Sequence, residues 1–162
     1  MKLQVVQVLV VVALMASLCK AGPELSGACP LNWEKFGSSC YFFNTHKTSW
    51  DCANTICKQV GGDLASIESA EENTFILDII NKEGGCDNGM VWIGLNDKET
   101  EGTFIWTSSN KPITFNGWNG GEPNGSGNEN CVEIKLSAGV WNDLSCNQPC
   151  CYICEKPQRT HI

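Results

Sequence analysis

Apolar and polar positions change period along this chain, and the changes mark its elements. Tyr41-Phe42-Phe43 reads as a strand. From Thr48 the spacing becomes helical. Trp50, Ala53, Ile56 or Cys57, and Val60 fall on one face, and Gly61-Gly62 stops the helix. Leu64-Ala65-Ser66-Ile67 leads to a second helix that opens on the capping box Ser69-x-x-Glu72, in which hydroxyl and carboxylate each take an end amide. Phe75, Ile76, Ile79 and Ile80 form its buried stripe, and Gly84-Gly85 ends it. Beyond this point short apolar or alternating runs predict strands at 91–95, 103–106, 131–136, 139–141 and 152–155. Residues 108–130 are rich in Gly and Asn with little periodicity. A loop of about twenty residues inside a compact domain is unusual and commonly functional. Two early helices followed by many short strands predict an α+β domain.

The amino end has a different character. Met1-Lys2 precedes an apolar run over residues 3–16, and small residues follow at Ala21-Gly22. That is the pattern of a secretory signal peptide over 1–21, with an apolar run too short to span a bilayer. Residues 22–28 form a short polar lead, and the mature chain is expected to be secreted, without insertion in a membrane. Removing Lys2 and Lys20 with the signal moves the formal charge from −7 to −9. Such acidity argues against nucleic acid or an anionic membrane as partner. Cys19 leaves with the signal, so 11 cysteines become 10. An even count in a small secreted domain reads as a disulfide framework.

The candidate chemistry gathers between residues 122 and 143. Glu122-Pro123-Asn124, Glu129 and Trp141-Asn142-Asp143 offer three carboxylates and two amide oxygens. An oxygen-only set suits a hard cation such as calcium, not zinc or copper. Calcium takes about 6–8 oxygens, so five residues leave room for those of a ligand. Two vicinal sugar hydroxyls can complete such a shell, with Glu122 and Glu129 accepting their protons and the amide groups of Asn124 and Asn142 donating. The only histidines are His46 and His161, and no nucleophile–base pair stands out, so an enzyme is not expected.

These residues resemble the C-type lectin-like domains. Trp92-Ile93-Gly94-Leu95 is similar to the family's core strand, Glu122-Pro123-Asn124 to its sugar-site tripeptide and Trp141-Asn142-Asp143 to its second calcium segment. The match runs over residues 29–156, leaving 157–162 as a tail. The resemblance implies a double-loop α+β fold, with two helices, small antiparallel sheets and a long calcium- and sugar-binding loop. It implies calcium ligands at Glu122, Asn124, Glu129, Asn142 and Asp143, the same residues as the sugar site, and a cis bond before Pro123. It also implies the pairs Cys29–Cys40, Cys57–Cys154 and Cys131–Cys146. Cys52, Cys86, Cys150 and Cys151 stay unassigned, since four cysteines allow three pairings.

Within the family, Glu-Pro-Asn goes with mannose-type sugars (mannose, N-acetylglucosamine, fucose) and Gln-Pro-Asp with galactose. The resemblance therefore implies a mannose-type lectin, with recognition of microbes in innate immunity as one use and galactose-type specificity as the alternative. Trp118 is a candidate to stack on a sugar face or else to pack under the loop. Asp97, Glu101 and Glu129 match an accessory calcium site, but Gly125 stands where many members have an acid. Asn124-Gly125-Ser126 is a glycosylation sequon, and a glycan there would block the site. A single shallow sugar site binds weakly, so a homo-oligomer, with a disulfide link through a spare cysteine as one route, is expected to raise avidity. A structural or mineral-associated role on the same fold is the competing reading.

Overall fold

The computed structural model describes residues 28–158. The signal-peptide assignment, most of the lead, Cys19 and His161 lie outside the described residues.

Eight strands and two helices follow in the order β1 (Glu34–Phe36), β2 (Ser39–Thr48), α1 (Trp50–Gln59), β3 (Asp63–Leu64), α2 (Ala70–Lys82), β4 (Met90–Asn96), β5 (Ile105–Trp106), β6 (Cys131–Lys135), β7 (Val140–Leu144) and β8 (Cys150–Pro157). The strands join in one sheet ordered β1-β2-β8-β4-β6-β7, with β3 on β8 and β5 on β4. Small antiparallel sheets were expected. They are fused by a parallel contact in which Val91 faces Cys151 and Trp92 faces Tyr152. A parallel pair needs a long crossover, and the β5-to-β7 excursion supplies it.

Both helices begin where their caps place them. Ser49 Oγ accepts from the Cys52 amide at the start of α1. Ser69 Oγ accepts from the Glu72 amide, and the Glu72 carboxylate reaches back to the Glu68 amide at 2.7 Å. Val60, predicted on the buried stripe of α1, is instead 45% exposed. The helix stops at Gln59, and Gly61 turns the chain with φ +81, so Val60 leaves the packed face. In α2, Ile76, Ile79 and Ile80 are buried and Phe75 is half-buried against Phe36 and Tyr41. The predicted strand at 103–106 shortens to two residues, Ile105–Trp106.

Two apolar clusters hold the layers. One gathers α2, β4, β6 and Trp141, and the other gathers α1 with Trp92 and Tyr152. Trp92, Trp106 and Trp141 are fully buried. Gly94 in β4 passes so close to the end of β3 that an added Cβ would stand 2.6 Å from the Leu64 carbonyl oxygen. Four disulfides cross these layers: Cys29–Cys40, Cys57–Cys154, Cys86–Cys151 and Cys131–Cys146. Cys86–Cys151, a pairing that the sequence left open, ties the turn after α2 to β8. Cys52 and Cys150 carry free thiols, the first exposed and the second buried. Burial pushes the Cys150 thiol up to about 12, which keeps it protonated and unreactive.

Candidate functional site

The site is built where the long loop returns to the β6–β7 hairpin. Between Trp106 and Cys131 the chain forms no helix or strand, only isolated bridges at Pro112 and Trp118. Trp141 anchors it. The Trp141 amide donates to the Gly117 carbonyl at 2.7 Å, and the Asn119 amide donates to the Trp141 carbonyl at 2.9 Å. Gly117 lies flat on the indole, where an added Cβ would come within 2.3 Å of the ring. Phe115 and Trp118 meet Trp141 edge-on, and Trp118 also meets Phe104 at 4.9 Å. Trp118 is thus half-buried, its ring held edge-on by Phe104 and Trp141.

From this anchor the loop runs over the end of β7. The Glu122–Pro123 peptide bond is cis. The Asp143 carboxylate accepts from the Asn124 amide at 3.1 Å and from the Gly125 amide at 2.8 Å. Glu122, whose side chain is 9% exposed, sits beside Asp143. Burial, then the neighbouring Asp143 carboxylate, raises the Glu122 carboxyl above its ordinary value. Glu122 Oε2 is buried with no hydrogen-bond partner. The Glu129 carboxylate lies across Gly125, where a Cβ would come within 2.3 Å of it. The side chain of Asn124 is exposed.

The pleat of the hairpin places the rest. Pairing sets Glu133 opposite Asn142 and Ile134 opposite Trp141. Val132 and Ile134 therefore enter the core, while Glu133, Lys135 and Asn142 share the other face. Asn142 Oδ1 accepts from Lys135 Nζ at 2.7 Å, and Lys135 Nζ stands 3.9 Å from Glu122 Oε1. Because an ammonium only donates, this contact fixes which way the amide points. Its NH₂ group donates to the Asp143 carbonyl at 2.6 Å and to Glu133 Oε1 at 3.3 Å. Burial pushes the Glu133 carboxyl up to about 7, opposed by Lys135 and by Asn142.

A second set of oxygens lies alongside. Asp97 is 2% exposed, and its Oδ2 accepts from the Gly102 amide at 2.8 Å. Its amide donates to the Asn130 carbonyl at 3.2 Å, and both Asp97 Oδ1 and Asn130 Oδ1 are buried without a partner. Glu101, exposed, lines a cleft of about 190 Å³ with Phe104, Asn124, Gly125 and Asp143.

Of the predicted residues, the fold brings Glu122, the Asn124 backbone, Asn142 and Asp143 together, with Glu129 against Gly125 beside them. Among the described residues, no three His, Cys, Asp or Glu side chains converge on one point. The donor set is nevertheless all oxygen, and a buried carboxylate oxygen is orphaned. Such residues fit a hard divalent cation. Glu133, Lys135 and Asn130 belong to the site, and the motifs in the sequence did not point to them. The alternation in 131–135 was the available signal for the first two, since it sets Glu133 and Lys135 on the face that Val132 and Ile134 avoid.

Fold and site together define a small domain that presents a loop of acids and amides to solvent. The model of the lectin C-type domain family matches residues 46–156. C-type lectin domain family 4 member M of Hylobates lar is 38% identical over 132 residues, 80% of this chain and 31% of the relative. The chain thus spans about a third of the length of such relatives. Among solved structures, the carbohydrate-recognition domain of cow CD23, determined in the presence of a GlcNAc2Man3 oligosaccharide, is 35% identical with TM-score 0.73, covering 82% of this chain and 98% of that one. A calcium-independent type II antifreeze protein is 30% identical with TM-score 0.73, covering 82% and 96%. This chain belongs to the C-type lectin family, a family of carbohydrate-binding domains whose members generally bind calcium.

Proposed function

We propose that the chain is a secreted, calcium-dependent lectin that holds mannose-type sugars by two vicinal hydroxyls. The observation that carries this reading is the orphaned Glu122 Oε2 beside Asp143, in a cluster whose donors are all oxygens. Glu122, Asn124, Glu129, Asn142 and Asp143 are the residues that would hold the ion. Calcium, when bound, supplies the positive field and open coordination positions that a pair of neutral hydroxyls can fill.

The chain's own residues do the selecting. Asp143 pins the backbone at Asn124 and Gly125, so the Glu-Pro-Asn turn is held before any sugar arrives. Glu122 and Glu129 accept hydroxyl protons and the exposed Asn124 amide donates, which reads the geometry of a vicinal diol. The order Glu-Pro-Asn favours mannose, N-acetylglucosamine or fucose over galactose. Asp97, Glu101 and Glu129, joined by Asn130, form the candidate accessory calcium site. Asn124 acts without a glycan in this reading. The domain is a binding module without catalysis, serving microbial recognition, and the exposed Cys52 is the thiol available to link two copies for avidity. Among the described residues no helix is long and apolar enough to cross a membrane.

Binding to immobilised mannan in calcium, with elution by mannose, galactose and chelator in turn, tests this. Release by mannose and by chelator is expected. Preferential release by galactose keeps the ion and overturns the sugar preference. A second reading, a calcium-independent surface binder, is favoured by the ammonium on Asn142 Oδ1 and by the likeness to the antifreeze protein. Retention on a solid surface, indifferent to chelator and monosaccharides, would establish it.

A further inference from the structure

Four lysine–carboxylate pairs are present among the described residues, and three have an exposed acid. Asp87, Glu34 and Asp51, partners of Lys47, Lys82 and Lys98, have side chains 75%, 44% and 65% exposed. The fourth differs. Lys135 stands on Glu122, only 9% exposed, while its own side chain is 38% exposed. The lysine also donates to Asn142 Oδ1 at 2.7 Å. One ammonium thus serves two groups of the loop site, both proposed ion ligands. Its strand places it there, since Lys135 follows Glu133 by one pleat repeat on the face of Asn142.

We propose that Lys135 is a tethered counter-ion of the loop site, a positioning residue that holds Asn142 and Glu122 when no divalent cation is bound. Asn142 Oδ1 is the oxygen a cation needs, so cation entry requires the ammonium to leave it. Lys135 can leave because its flexible stem already reaches solvent, whereas the buried carboxylate cannot follow. The lysine therefore raises the stability of the cation-free loop and lowers cation affinity by the same linkage. This inference rests on the calcium-binding reading above.

Calcium titration by calorimetry, with melting in chelator and in calcium, tests it on wild type, Lys135→Met, Lys135→Gln and Lys135→Arg. Both neutral variants are expected to bind calcium about threefold to fivefold more tightly, the modest size proper to a half-exposed charge. They are also expected to melt lower in chelator and to gain more on calcium addition. Lys135→Arg, which keeps the charge, is expected to melt in chelator as wild type does. Lys135→Gln carries the test should Lys135→Met fail to fold. Wild type that binds calcium with neutral variants of equal or weaker affinity overturns the counter-ion alone. Wild type that takes up no calcium overturns the calcium reading and this inference with it.

Discussion

The molecule holds two groups of buried and half-buried polar side chains, mostly acids, and they differ in how their oxygens are satisfied. Beside α2 and β8, Glu72 accepts from the Tyr41 hydroxyl and from the Glu68 amide. Glu155 accepts from Ser39 Oγ at 2.7 Å and from the Ser66 amide at 3.0 Å. Every carboxylate oxygen there has a donor from the chain. At the loop, Glu122 Oε2, Asp97 Oδ1, Glu133 Oε2 and Asn130 Oδ1 have none. Leaving a buried polar atom unpaired costs about 1–3 kcal/mol. Four of the six such atoms among the described residues lie in this one region, and the proposed cation site rests on them. The first group is architecture, joining β2, α2 and β8. The second is the cluster proposed above to hold the ion.

The widest separation of the two groups is expected from Gly125→Ala. Its Cβ would strike the Glu129 side chain at 2.3 Å, so Glu129 must move. Calcium affinity by calorimetry should fall by at least about tenfold, while melting in chelator changes little, because the packed core is untouched. An unchanged calcium affinity would remove Glu129 from the ligand set. The reverse pattern is expected from Tyr41→Phe. Loss of the hydroxyl strips Glu72 of a donor and should cost about 1–3 kcal/mol in denaturant unfolding, with mannan retention unaltered. Loss of sugar binding there would mean that the two groups are coupled.

The smallest effect concerns pH. Burial holds the Glu155 carboxyl above its ordinary value, so the folded chain grips this proton more tightly than the unfolded one. The stability it contributes is fully present below the unfolded value and is lost as pH rises through the folded one. Glu155→Gln should flatten that part of a stability–pH curve measured in chelator. A curve parallel to wild type would show that the Ser39 and Ser66 bonds offset the burial.

Local features carry much of the architecture. Ser49 and Ser69 caps, helical spacing and the glycines at 61–62 and 84–85 are short-range signals, and both helices stand where they point. Val60 departs from its stripe because a stripe drawn by period alone takes no account of where the chain turns at Gly61. The strand at Ile105–Trp106 is shorter than its alternation suggests because alternation requires a pairing partner along its length, and β5 pairs with β4 only at Leu95 and Asn96.

For the site, the sequence by itself determined the donor types, their oxygen-only chemistry and the family resemblance, since these are properties of residue identity and order. Tertiary structure decided which oxygens are left orphaned, that Trp118 meets Phe104 and Trp141, and that Cys86 joins Cys151. It alone brought Lys135 onto Asn142. These outcomes depend on strand register and on the loop seated over Trp141. Both are contacts between residues far apart in the chain, which no local period encodes.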